Sequence, residues 1–97
     1  MLKVGKLYSC SKYFLLLTYA NDARRTHRAT SPHNVEALRY WIRELGNPVS
    51  LYEPLTPLLV LSMTKKKTYI EVLVGDKRGW LVNDGWLEFK EIVDEAA

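Results

Sequence analysis

The segment YFLLLTY, residues 13–19, limits the choice of fold more than any other part of the chain. Side chains of a β-strand alternate between the two faces of a sheet, yet here four consecutive residues, FLLL, are apolar. A strand that is apolar on both faces is typical of a sheet covered on both sides. We therefore expect this strand to lie between two layers of core.

The segment before it, LKVGKLYSC, predicts another strand. Val4, Tyr8 and Cys10 recur at period two, and Gly5 introduces a bend near the start. Residues 11–12 then form a plausible tight turn, so the two strands are expected to pair as a β-hairpin.

One amphipathic helix is predicted over residues 31–46. Ser31 is suited to cap its N-terminus, Pro32 to occupy its first turn and Gly46 to end it. An apolar stripe repeats at helical spacing; it comprises Val35, Leu38, Ile42 and Leu45, widened by Trp41. The segment ANDARRTHRAT before the helix is polar and unpatterned, which indicates a surface loop.

The second half of the chain predicts further short strands joined by tight turns. Residues 49–57 read as an extended connector, and KKK and GDKRG as turns; the strands are PLLVLSM, TYIEVLV, GWLV and WLEFKEIV. With about six strands and one helix, the fold class is α+β, with a small barrel or strongly bent sheet. The helix would lie over one open side or end of that sheet or barrel.

Length and composition indicate one small domain spanning residues 1–97. The chain has 97 residues, 47% of them hydrophobic, and a formal net charge of +3. Residues 1–50 carry eight basic and three acidic side chains, whereas residues 51–97 carry six and eight. A single cysteine excludes an internal disulfide, and no segment reaches the length of a membrane span. We expect a cytoplasmic protein without a membrane contact.

The tail from about residue 57 to 93 resembles SH3-like barrels, in particular bacterial SH3 domains. The resemblance lies in the order PLLVLSM, TYIEVLV, RGWLV and NDGWL, in which Gly-Trp pairs follow the strands. It implies an SH3-like barrel into which residues 20–48 are inserted. It also implies that Tyr8, Tyr69 and Trp86 line a protein-binding groove, whereas Trp80 packs into the barrel. The acidic loop and the proline typical of proline-peptide binders are absent, so that specificity is not carried over.

A second set of residues points to nucleic acid as the alternative partner. Arginine side chains suit phosphate oxygens, and tyrosine can stack on a base. The candidate residues are Arg24, Arg25, Arg28, Arg39, Tyr40 and Arg43, with Lys65, Lys66 and Lys67 at a predicted hairpin tip. The competing interpretation is a solvated surface whose charge Asp22, Glu36 and Glu44 partly balance.

No catalytic or metal-binding pattern stands out. Cys10 with His27 or His33 lacks a local nucleophile motif, and GDKRG lacks the strand–loop–helix context of a phosphate loop. We therefore expect no catalytic residues, no metal and no cofactor. The sequence favours a non-catalytic module that binds a protein or peptide, or a second copy, with nucleic-acid binding as the alternative.

Overall fold

A computed structural model describes residues 2–28, 35–83 and 87–93. In chain order the elements are β1 (Leu7–Ser9), β2 (Phe14–Leu17), α1 (Ala20–Arg28), α2 (Val35–Glu44), β3 (Val49–Tyr52), β4 (Leu58–Met63), β5 (Tyr69–Val74), β6 (Lys77–Val82) and β7 (Lys90–Glu91). The prediction of an α+β protein is confirmed. No helix in the described ranges has the length and apolar character needed to cross a bilayer.

The seven strands form one antiparallel sheet in the order β3-β2-β6-β5-β4-β1-β7. Within the described residues β3 and β7 are the two edges and do not pair with each other, so the sheet is open and the closed barrel is not confirmed. The predicted last strand WLEFKEIV begins at Trp86, outside the described residues; within residues 87–93 it is reduced to the two residues of β7.

The predicted hairpin of the first two strands is wrong. β1 pairs with β4 and β7, whereas β2 pairs with β3 and β6. All four residues of β2 are buried, and Leu7 of β1 is 45% exposed. A strand that buries every side chain needs neighbours on both sides and cover on both faces, which a place at the edge beside β1 would not supply.

The predicted loop over residues 20–30 is also wrong, because residues 20–28 form helix α1. Its inner face is made of small or polar side chains: Ala23 is fully buried and Thr26 and Asp22 nearly so. Thr26 Oγ1 donates a hydrogen bond to Ala23 O at 3.0 Å, and Asn47 Nδ2 donates one to Asp22 Oδ2 at 2.9 Å. A helix held in this way lacks the apolar stripe by which helices are recognised in sequence.

Helix α2 confirms the helix that was predicted over residues 31–46. The residues that it buries differ from the predicted apolar stripe. Leu38 and Leu45 are buried and Trp41 packs beside them, whereas Ile42 is 36% exposed. Gly46, with φ of +70°, follows the helix in the left-handed conformation. The predicted cap at Ser31 and Pro32 lies outside the described residues, as does the side chain of Val35.

Two segments with turn-like or irregular sequence are strands. Residues 49–52, predicted as a connector, form β3 and pair with all of β2. The predicted turn GDKRG is reduced to Gly75 and Asp76, because β6 already begins at Lys77. Gly75 has φ of +61°, which suits the first central position of a two-residue hairpin turn.

Each face of the sheet carries its own core. Cluster one lies on the face without helices; its buried members are Leu2, Tyr8, Cys10, Phe14, Leu16, Leu58, Val60, Ile70, Val72, Val74, Leu81 and Leu87. Cluster two lies beneath the helices; its buried members are Leu15, Leu17, Ala23, Leu38 and Leu45. The prediction that residues 13–19 are covered on both faces is therefore confirmed for the strand β2.

Cluster one shows that the sheet curves around its own core. It contains Tyr8 of β1 together with Phe14 and Leu16 of β2, although three strands, β6, β5 and β4, lie between β2 and β1 in the sheet. A register shift between Val60 and Ser62 in the β4–β5 ladder marks a bulge, which increases local bending. The bulge also brings Met63 onto the same face as Val60, where it packs against cluster one.

Candidate binding surfaces

Tyr8, one of the predicted groove aromatics, lies in the core. Its side chain is 3% exposed and belongs to cluster one. The phenol oxygen accepts a hydrogen bond from the backbone N–H of Lys3 at 2.7 Å. The period-two pattern that Tyr8 shares with Cys10 already places both on the same, inward face. Its ring is thus not available to line a surface groove.

Tyr69, the second groove aromatic, lies beneath helix α1. Its hydroxyl is 3.0 Å from Nδ1 of His27, and the two rings meet edge to face at 5.6 Å. The guanidinium carbon of Arg24 lies 5.7 Å from the Tyr69 ring centroid, within the range of a cation–π contact. The structure thereby joins a residue predicted for protein binding to one predicted for nucleic acid.

The two tryptophans of the tail have different outcomes. Trp80 is half-buried and packs against cluster two. It is a packing residue, as predicted, but it lies on the face opposite cluster one and not inside the curve of the sheet. Trp86, the third groove aromatic, lies outside the described residues.

The outward face of α1 is cationic. Arg24, Arg25 and His27 are exposed, and the side chain of Arg28 lies outside the described part of the helix. Asp22 was expected to balance some of this charge at the surface, but its carboxylate is turned inward to Asn47 and is 2% exposed. Solvent on this side of α1 therefore meets positive charge without an exposed carboxylate from the same helix.

The three lysines form the turn between β4 and β5, as predicted for a hairpin tip. The N–H of Lys67 donates to Thr64 O at 2.8 Å, and Asn83 Nδ2 donates to Lys67 O at 3.0 Å. All three lysines are exposed, and the turn leads within two residues to Tyr69. We call this set the Tyr69 corner; it comprises Arg24, Arg25 and His27 of α1, Tyr69, and Lys65, Lys66 and Lys67.

The remaining predicted nucleic-acid residues lie on α2, away from that corner. Arg39, Tyr40 and Arg43 are exposed. Arg39 reaches Glu36 at only 4.0 Å, and the Tyr40 ring stands edge to face on Trp41 at 5.6 Å. Helix α2 packs on the edge strand β3, whereas α1 packs mainly on β6, two places further into the sheet. The predicted basic set is thus divided between two helices.

The structure also exposes a surface that was not predicted from the sequence. Leu7 pairs with Leu59, and Leu59 pairs with Leu73, so three leucines lie side by side across β1, β4 and β5. Ile92 extends the row, since its N–H donates to Leu7 O at 2.9 Å. The three leucines alternate with buried residues of their strands, and none of the four side chains belongs to either cluster. We call this row the open strip.

A sequence signal for the open strip did exist. Leu59 and Leu73 are apolar residues at the alternate positions of strands whose inward positions, such as Val60 and Val72, are apolar as well. An outward apolar residue on a single strand needs no explanation. Three on adjacent strands become a surface only when the register aligns them, and the sequence does not supply the register.

Titratable groups of the described chain show two resolved perturbations. Burial raises the pKa of the Cys10 thiol, whose Sγ also donates to Lys12 O at 3.5 Å. Arg78 lowers the pKa of Glu71 by hydrogen bonding, at 2.8 Å and 3.2 Å, and Ser62 adds a further bond to the same carboxylate. In the described ranges no three His, Cys, Asp or Glu side chains come together as metal ligands.

Comparisons of the chain with protein families, curated proteins and solved structures gave no match. The function of this protein must therefore be inferred from the arrangement of its own surfaces.

Proposed function

We propose that this protein is a non-catalytic interaction module that binds a protein partner through the open strip. The observation that carries the proposal is a row of apolar side chains on the face of the sheet opposite cluster one. The row consists of Ile92, Leu7, Leu59 and Leu73. Ile92 is 39% exposed and Leu7 45%, while Leu59 and Leu73 are half-buried. Contiguous apolar surface, unlike single exposed residues, is characteristic of protein contact sites.

The setting of the strip supports an isologous contact with a second copy. The strip ends at β7, an edge of the sheet within the described residues. The ion pair of Arg78 and Glu71 lies at its other end, because Arg78 pairs with Leu73 across β5 and β6. A two-fold axis running along the strip would set leucine against leucine and bring the Arg78–Glu71 pairs of the two copies together at the same end. Such self-complementary patches are typical of symmetric dimers.

The experiment is sedimentation velocity over a range of protein concentrations. We expect reversible association of the wild type and its loss in the double variant Leu7→Ser/Ile92→Ser, because this variant replaces two exposed apolar side chains of the strip by small polar ones. The matched control is Tyr13→Ser/Val4→Ser, which removes apolar groups with 41% and 57% exposure outside the strip. Denaturation curves establish that each variant is folded.

A monomeric wild type would exclude the second copy as the partner. Selection from a displayed library of extended peptides then tests the wider proposal. Peptides that bind the wild type and the control variant, but not the strip variant, support it. Selected peptides that bind the strip variant as tightly as the wild type contradict it.

The SH3-like relationship belongs to the same proposal. The consecutive antiparallel strands β4, β5 and β6 agree with the order expected for the tail, and the curved sheet around cluster one resembles a barrel that has not closed. Cys10 is a buried free thiol, which suits the reducing cytoplasm that we propose as the location.

A further inference from the structure

We propose that the Tyr69 corner is a second binding surface, separate from the open strip, that contacts the phosphate backbone of a nucleic acid. Its cations come from two elements that are distant in sequence: Arg24 and Arg25 from α1, and the lysines from the β4–β5 turn. Tyr69 connects them, since it follows the turn in the chain and meets α1 through its ring and hydroxyl.

The corner is held in place by the fold. Helix α1 packs on β6, β2 and β5, with Ala23 fully buried against cluster two. The β4–β5 turn is fixed to the neighbouring strand by Asn83, which bonds Lys67 O through its side chain and Thr68 O through its backbone N–H at 2.7 Å. The two groups of cations therefore keep a defined separation, which reduces the entropy lost when they bind one anionic chain.

Charge at the corner is of one sign. Five side chains that are cationic at neutral pH are exposed there, in addition to His27. Asp22 is the sole acidic residue in segments 20–28 and 64–69, and it is buried. In contrast, the exposed Arg39 and Arg43 on α2 share their helix with exposed Glu36 and Glu44. Within these described segments the exposed charge is therefore of one sign at the corner and of mixed sign on α2.

The composition of the corner favours nucleic acid over an acidic protein. Protein interfaces depend on buried apolar and aromatic anchors surrounded by a polar rim. The exposed side chains of the corner are all charged or polar, and its one aromatic ring is already engaged by α1. Sequence-independent nucleic-acid binding needs no such anchor, because neutralising phosphates releases counterions.

The test is fluorescence anisotropy with labelled single-stranded DNA, single-stranded RNA and duplex DNA, in a salt series. The corner variant is Lys65→Gln/Lys66→Gln, which spares the left-handed Lys67. The matched control is Lys6→Gln/Lys90→Gln, which removes two exposed lysines from the β1–β7 side of the sheet. Both variants have the same net charge. A difference between their affinities for nucleic acid therefore shows that the position of the lysines matters and not only their charge.

We expect wild-type binding that weakens steeply with salt. The corner variant should bind about tenfold more weakly at low salt, and its log–log salt slope should be smaller by about two, because each phosphate-contacting lysine contributes about one. The control should keep the wild-type slope. A third variant, Arg24→Gln, tests whether α1 contributes to the same slope.

Three results would overturn the proposal: no salt-dependent binding of any nucleic acid, equal loss of slope in the corner and control variants, or displacement of DNA by polyglutamate at equal charge concentration. The strip variant Leu7→Ser/Ile92→Ser should bind nucleic acid like the wild type, so failure of one proposal does not imply failure of the other.

Discussion

Lys67 adopts a strained backbone conformation at the end of the β4–β5 turn. Its φ of +59° lies in the left-handed region, which disfavours residues with a Cβ by about 1–2 kcal/mol. The hydrogen bond from Asn83 to its carbonyl holds the backbone in this conformation. The side chain at this position therefore opposes the turn that the surrounding contacts impose.

We predict that Lys67→Gly raises the free energy of unfolding by about 0.5–1 kcal/mol. Removing the Cβ relieves the left-handed strain, and the gain exceeds the extra chain entropy of glycine. Urea denaturation measures the change. Lys66→Gly is the control, because Lys66 has no positive φ and glycine there should lower stability slightly. Equal effects at the two positions would contradict the assignment of strain to Lys67.

Glu71 provides a pH-dependent contribution to stability. Hydrogen bonding from Arg78 lowers its pKa in the folded state, so the folded protein favours the ionised carboxylate. The stabilisation is present above the pKa of about 4.3 of an unfolded glutamate and is lost as pH falls through the lower folded value.

We predict that Glu71→Gln destabilises the protein at pH 7 by less than about 1 kcal/mol, since Arg78 is largely exposed and solvent screens the pair. The difference in stability between Glu71→Gln and the wild type should shrink as the pH is lowered below the pKa of an unfolded glutamate. Denaturation curves at pH 7 and in acid measure it. Glu44→Gln, in an exposed helical position, is the control. A difference that persists undiminished in acid would assign the effect to packing.

At the scale of elements, Gly79 determines how closely β2 approaches β6. A Cβ at this position would lie 2.7 Å from both Leu16 Cγ and the backbone oxygen of Leu17. β2 and β6 share one paired position, Leu17 with Trp80. At this position the three strands β4, β5 and β6 meet the pair formed by β2 and β3. Glycine thus permits the contact that joins the two parts of the sheet.

We predict that Gly79→Ala lowers the free energy of unfolding by about 1–3 kcal/mol, the usual cost of overpacking. The backbone oxygen of Leu17 cannot move aside without disturbing the β2–β3 ladder. Thermal denaturation followed by circular dichroism measures the loss. Gly46→Ala is a comparison in which the new Cβ meets no atom within 4 Å, so its cost comes only from the positive φ. An unchanged stability of Gly79→Ala would show that β2 and β6 are less tightly joined.

Elements with strong apolar patterns were predictable from the sequence, and elements held by polar contacts were not. β2, β4 and β5 are short runs rich in apolar residues and α2 follows helical spacing, and all four were expected. Helix α1 escaped notice because its buried face is Asp22, Ala23 and Thr26. For the binding surfaces, exposed arginines could be named from the sequence. Their meeting with Tyr69, and the alignment of the open strip, depend on strand pairing between distant segments.

The whole molecule is one sheet with two cores that share a strand. β2 contributes Phe14 and Leu16 to cluster one, and Leu15 and Leu17 to cluster two. Loss of cover on one face would expose half of β2 to water and weaken its ladders with β3 and β6. We therefore expect the two clusters to unfold together, although the described helical residues that belong to a cluster are members of the second and not of the first.

Cys10 reports on this cooperativity. Its thiol is 1% exposed in cluster one, and burial raises its pKa. Reagents that need the thiolate should thus react only when the cluster opens. We predict that Leu38→Ala, a substitution in α2 on the opposite face, costs about 2–3 kcal/mol. If opening is global, this should accelerate labelling of Cys10 by roughly thirtyfold or more, since about 1.4 kcal/mol corresponds to a factor of ten.

The measurement is labelling of native protein with a chromogenic disulfide at pH 8, beside urea denaturation of the same samples. The acceleration and the loss of stability should agree when both are expressed as free energies. Ile42→Ala, a partly exposed position on the same helix, should change both quantities only slightly. If Leu38→Ala lowers stability while Cys10 labelling stays at the wild-type rate, α2 leaves the sheet without opening cluster one. The protein would then consist of a curved sheet that is stable without α2, and α2 would open independently of cluster one.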